Sequence, residues 1–246
     1  MQLKINETRT HKVENETVNG LNICCLLESA AVNTDVPEIG YMTATSFDPS
    51  QINIEVSLMR NGKSETTINE NLAVLAHFWT ILKNGMLWRK GVTLQASAVA
   101  KTHLVSRSVF IPFAGHINVK GSDVLTVTAT VNRGAFGSGV SSATSTIQIE
   151  TNQSIGVEHA IYKFKSYAIQ ASQNQDVVNL GDNITRLALI SFETDSAKPI
   201  FKSASLSSDR LDFTANEQEL ILRHWDKFPY NSADMSMSSL YGTAHP

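Results

Sequence analysis

Apolar residues recur at every second position along much of the chain. In residues 124–131 (VLTVTATV) and 52–58 (INIEVSL), aliphatic side chains alternate with threonine, asparagine, glutamate or serine. Successive side chains of a strand point to opposite faces, so this period of two predicts strands with one buried face. Alternating or β-branched runs place further strands at 2–12, 20–28, 92–100, 105–111 and 144–150, and others at 160–170, 184–192 and 201–206. Turn signals such as Asn61-Gly62, Lys120-Gly121 and Gly181-Asp182 separate them. The expectation is a mainly β chain of the sandwich type, without the βαβ rhythm of a parallel sheet.

Two stretches break the period and read as helices. Each opens with Thr-x-Asn-Glu, a capping box in which the threonine hydroxyl takes the third amide and the glutamate reaches back: Thr67-Ile68-Asn69-Glu70 and Thr214-Ala215-Asn216-Glu217. The first helix is expected to run to about Lys83, before Asn84-Gly85, and the second to end ahead of Pro229. At an offset of 147, residues 67–78 and 214–225 share threonine, asparagine, glutamate, Leu75 with Leu222 and His77 with His224, and Phe78 stands where Trp225 does. A strand-like run precedes each. The chain therefore reads as a duplicated β unit with its seam between Gly134 and Gly156, giving units at 1–150 and 151–246. The competing explanation is that helix starts resemble one another.

Composition narrows the function. Twenty lysines and arginines against 23 aspartates and glutamates leave a formal charge of −3, and no basic run offers a footprint for a nucleic-acid backbone. The polar N-terminus predicts no export signal, and the longest apolar run, Ile23 to Leu27, is far too short to span a bilayer. The two cysteines, Cys24 and Cys25, are adjacent, which disfavours a mutual bridge and leaves them as reduced core residues.

The search for chemistry is negative. His11, His77, His103, His116, His159, His224 and His245 form no metal-ligand spacing. His77 and His224 are the most suggestive pair, but packing at equivalent positions explains them. Gly137-Ser138-Gly139 lacks the surroundings of a nucleophile elbow, and Arg133 to Gly137 is not followed by the helix that a phosphate loop needs. Asp209 and Asp212 read as solvated loop acids. Trp79, Trp88 and Trp225 fall on or just after helices, where they form no stacking row. No catalytic, cofactor-binding or metal-binding residue is assigned, no cofactor is expected, and the chain is not expected to be an enzyme.

Residues 54–63 (IEVSLMRNGK), the helix over 69–83, the strand pair in 109–131 with its Gly115-x-Ile117-x-Val119-x-Gly121-x-Asp123-x-Leu125-x-Val127 pattern, and the second helix carry a resemblance. In that order they resemble the double jelly-roll major capsid proteins of tailless icosahedral phages with an internal membrane, such as tectiviruses and corticoviruses. The resemblance implies two tandem jelly-roll barrels, each with a short capped helix. It further implies pseudo-hexagonal homotrimers that tile with neighbouring capsomers into a shell over a membrane, alongside minor capsid or vertex proteins. The protein would then be found in the virion, assembled in the host cytoplasm, with no enzymatic role and no direct nucleic-acid binding. Two fused units let three chains present six similar edges.

The second unit departs from this pattern, because only about twenty residues follow Trp225. Either the repeat register is off, the biological chain is longer, or neighbouring chains supply strands. Other readings are a vertex, spike or tail-associated virion β-sandwich, or a glycan-binding β-sandwich.

Overall fold

The computed structural model describes residues 1–28, 47–82, 89–95, 102–137, 140–158, 163–167, 177–179, 203–208 and 211–216. They are mainly β, arranged in several antiparallel sheets. The strands are β1 (Gln2–Leu3), β2 (Glu7–Val13), β3 (Thr17–Glu28), β4 (Ile52–Arg60), β5 (Lys63–Asn71), β6 (Arg89–Gln95), β7 (Thr102–Asn118), β8 (Val124–Val131), β9 (Thr146–Gln153), β10 (Ser203–Ser208) and β11 (Leu211–Asn216), with one helix, α1 (Leu72–Leu82), between β5 and β6.

Two compact units divide the chain, the first spanning Met1–Trp79 and Leu87–Ser166. Its five-stranded sheet has the order β1-β9-β3-β7-β6, and its four-stranded sheet the order β2-β8-β4-β5. The pairing is nested. β1 meets β9, β2 meets β8 and β3 meets β7, all antiparallel, as though one long hairpin had been folded over on itself. β9 also pairs with β3, and β8 with β4, which stitches the nested pairs into the two sheets. The polar seam expected between Gly134 and Gly156 thus contains β9, a central pairing partner of the first unit.

Alternation places one core between these sheets. Leu21, Ile23, Cys25 and Leu27 from β3 join Ile52, Ile54 and Val56 from β4 and Leu125, Val127, Ala129 and Val131 from β8 in a single buried cluster. Each such aliphatic side chain withdrawn from water is worth about 1.5–3 kcal/mol. Leu72, Leu75 and Ala76 add one face of α1 to the cluster.

The hairpin β4–β5 turns on Asn61-Gly62, with φ of 51° and 72°. Both residues occupy the left-handed region that a tight two-residue hairpin turn demands, where glycine and asparagine are least strained. Beyond the turn, Ser57 pairs with Thr66 but Val56 pairs with Ile68, so Thr67 is an extra residue, a bulge. Its hydroxyl donates to the Val56 carbonyl at 3.1 Å.

This corrects the predicted helix start. Thr67 to Glu70 belong to β5, and α1 is capped by Asn71, whose Oδ1 accepts from the Val74 amide at 2.9 Å. A threonine–glutamate spacing that suits a cap equally suits a strand, and eight ladder pairs with β4 outweigh one capping bond. The same correction holds for Thr214, Ala215 and Asn216, which lie in β11 and pair with β10. The remainder of the expected second helix lies outside the described residues, as does the strand expected at 184–192; of 160–170 only 163–167 are described, and they are not a strand.

The hairpin β10–β11, in the second unit, can be laid over β4–β5. Rows Glu55–Asn69, Ser57–Thr66 and Met59–Ser64 have counterparts in Ser203–Asn216, Ser205–Thr214 and Ser207–Asp212. Ser57 and Thr66 hydroxyls lie 3.2 Å apart, and Ser205 and Thr214 hydroxyls 3.0 Å apart. The β10–β11 ladder has no bulge. The equivalence is therefore Thr66 with Thr214 before the bulge and Asn69 with Asn216 after it, which moves the offset from 148 to 147.

Candidate functional site

Among the described residues, those weighed for chemistry do not converge. His11 is exposed on β2. His77 and His103 fall on α1 and β7, with side chains outside the described set, and His159, His224 and His245 lie outside it altogether. Arg133, Gly134 and Ala135 form a single 3-10 turn, while Ser138, Gly139 and Asp209 are not among the described residues. Asp212 stands opposite Ser207 in the β10–β11 ladder, so it is a strand residue and not the loop acid expected. Among the described residues, no group of three histidines, cysteines or carboxylates is placed to hold a metal ion, and no helix is long and apolar enough to cross a membrane.

The cysteines need a correction. Both are free thiols, but only Cys25 is in the core. Cys24, its neighbour on β3, faces the other side of the sheet and is half-buried. Burial, and then the Glu150 carboxylate, push its thiol above the ordinary range. Strand alternation thus separates two side chains that adjacency suggested were alike.

One dense polar constellation does form, and it joins the two sheets at one end. Arg60 is the last residue of β4, Asn118 the last of β7, and Asp123 follows the 120–123 turn. The Arg60 guanidinium donates through Nε to Asp123 at 2.8 Å, through Nη1 to Glu158 Oε1 at 2.6 Å, and through Nη2 to Glu158 Oε2 at 3.2 Å and to the Asn118 carbonyl at 2.9 Å. The Asn118 amide donates to Glu158 at 3.1 Å. The segment leading to Glu158 is held as well. The Ser154 amide donates to the Thr17 carbonyl at 2.9 Å, its hydroxyl lies 2.8 Å from His116 Nδ1, and His116 and Glu158 form a parallel bridge. At Gly156 any Cβ would run into the His116 ring, so only glycine lets the segment lie this close.

The hydrogen bonds from Arg60 and the Asn118 amide hold the Glu158 carboxyl below its ordinary value, against partial burial, which acts the other way. The bonds that Arg60 donates to Glu158 raise its own value correspondingly. A guanidinium engaged by two carboxylates and a carbonyl has almost no donor capacity left for a ligand. The arrangement is a clamp. The following segment continues around the unit: Phe164 donates its amide to the carbonyl of the bulge residue Thr67 at 2.8 Å and stacks edge-on against Phe78 at 5.0 Å, while Lys163 pairs with Glu65 and Ser166 bonds Glu70. Residues 163–166 therefore lie along β5, the edge strand of the described sheet. The long separation in sequence of Arg60 and Glu158 left this clamp without a signal in the chain.

The outward face of the sheet β2-β8-β4-β5 is the second feature. Its rows are Thr8–Thr130–Asn53–Asn71, Thr10–Thr128–Glu55–Asn69, Lys12–Thr126–Ser57–Thr66 and Val124–Met59–Ser64. Only Lys12 and Glu55 in it carry charge. Its side chains bond one another in the plane of the sheet: Thr8 with Thr130 at 3.0 Å, Thr10 with Thr128 at 3.1 Å, Asn53 with Asn69 at 3.2 Å and Ser57 with Thr66. Both of these features join elements or present a surface. No protein-family model matches the chain, and no curated protein is significantly similar to it.

Proposed function

We propose that the protein is a structural shell subunit, a viral capsid protein that works by self-assembly. The observation that carries this reading is the strand order of the first unit. The nested pairs β1–β9, β2–β8 and β3–β7, cross-linked through β9–β3 and β8–β4, give two facing four-stranded sheets, with α1 and the added edge strand β6 inserted between β5 and β7. That order is the one expected of a jelly roll and supports that architecture, which recurs in capsid and lectin domains. Architecture alone does not decide between those uses. The capsid reading is favoured by the recurrence of the β4–β5 hairpin as β10–β11, which supports a second jelly-roll unit in tandem. In this reading three chains form a pseudo-hexagonal trimer, trimers tile into an icosahedral shell, and the chain carries out no chemistry.

Mass photometry or light scattering of the purified chain tests the reading. Trimers or larger shells are expected; a monodisperse monomer at micromolar concentration would overturn it.

A further inference from the structure

We infer that the outward face of the sheet β2-β8-β4-β5 is a contact surface for a second copy of this chain; the inference rests on the assembly reading above. A sheet face left to solvent normally carries long charged side chains for solubility. This one carries short hydroxyl and amide side chains, with one lysine and one glutamate that leave it without net charge. Two such faces meet without electrostatic repulsion, as contact between identical subunits requires.

The face is also cheap to cover. Threonine, serine and asparagine lose little rotamer freedom on burial compared with lysine or glutamate. Here each hydroxyl or amide pair already makes one hydrogen bond within the sheet, which meets part of its capacity, and the remaining donors and acceptors are free to bond across a contact between copies. Met59, 40% exposed at the end of the β4 row, is an adaptable apolar contact of the kind enriched at interfaces.

Size decides what kind of contact this is. Four strands about 4.8 Å apart, each with three or four outward residues about 6.8 Å apart, make a patch of roughly 19 by 24 Å. That is well below the roughly 800 Å² per partner of a stable pairwise interface. One such face gives a weak contact, of the sort that holds only when repeated through a closed assembly. The chain supplies a second surface of the same make. On β10–β11, Ser203, Ser205, Ser207, Thr214 and Asn216 are all exposed and lie on one face, in the rows equivalent to those of β4–β5.

The test uses the full chain and the variant Asn69→Arg/Thr130→Arg. Asn69 lies opposite Glu55, and Thr130 lies between Thr8 and Asn53, so both arginines fit the solvent face of a folded monomer. Circular dichroism and melting of the variant should match the parent, while the concentration needed for assembly rises at least tenfold. Peroxide oxidation of Met59, followed by mass spectrometry, should be slowed in assembled parent protein relative to dilute monomer. If the parent assembles, its Met59 oxidises at the monomer rate and the variant assembles as readily, the inference is overturned and the assembly reading stands. A parent that stays monomeric removes both.

Discussion

Replacing Glu158 by alanine removes the clamp's principal acceptor and should loosen the end of the first unit. Two bonds from Arg60, at 2.6 and 3.2 Å, and one from the Asn118 amide, at 3.1 Å, are lost together. Arg60 keeps Asp123 and the Asn118 carbonyl, so its charge is not stranded. Hydrogen bonds to charged groups contribute about 1.5–3 kcal/mol when well shielded. Arg60 and Glu158 are 31% and 27% exposed, so solvent screens the pair and the loss is expected at about 1–2 kcal/mol. Arg60 and the Asn118 amide hold the carboxyl below the ordinary glutamate range in the folded protein, so its contribution is complete above that range and fades as pH falls through the depressed value. The stability gap between parent and Glu158→Ala, measured by urea unfolding, should therefore be full at neutral pH and shrink in acid as pH falls through the depressed value. Hydrogen exchange at the Asn118 amide gives a local reading of the same change. A gap that is absent at neutral pH, or that persists undiminished in acid, would refute the assignment of the clamp to an ionised Glu158.

Other outcomes follow from neighbouring features. Asn71→Ala should cost about 0.5–2 kcal/mol by uncapping α1, and Asn71→Asp should recover most of it in a thermal melt, whereas Thr67→Ser, which keeps the hydroxyl bond to Val56, should leave α1 untouched. Gly156→Ala should destabilise the first unit, because a Cβ there meets the His116 ring; pairing it with His116→Ala should relieve part of the loss, and a non-coupled pair of losses would contradict the close approach. In the folded chain, iodoacetamide should label Cys24 slowly and Cys25 only on unfolding, and peptide mapping should find no bridge between them.

The strands were legible wherever one face is buried, because there the alternation is dictated by the core. Residues 52–59 and 124–131 read correctly as strands for this reason, and they became β4 and β8. The helix starts were misread because Thr-x-Asn-Glu is a local pattern with two uses. At Thr67 and at Thr214 the partner strand, reached through a turn, chose the second. The break between β1 and β2 turns on Asn6, in the left-handed region at φ 58°, which the strand-like run 2–12 did not announce.

By itself, the order of residues determined that this is a β protein with alternating buried faces and a tight Asn61-Gly62 hairpin. Those properties are local, set by side-chain period and by the φ values that glycine and asparagine tolerate. Tertiary structure decided the rest: that β1 pairs with β9, that Arg60 reaches Glu158, that Cys24 and Cys25 part company, and that threonines on β2 and β8 meet in one polar face. Each of these joins residues far apart in the chain or sorts neighbours onto opposite faces. Closing such long loops costs entropy that only the assembled core repays, and no short stretch of sequence records that exchange.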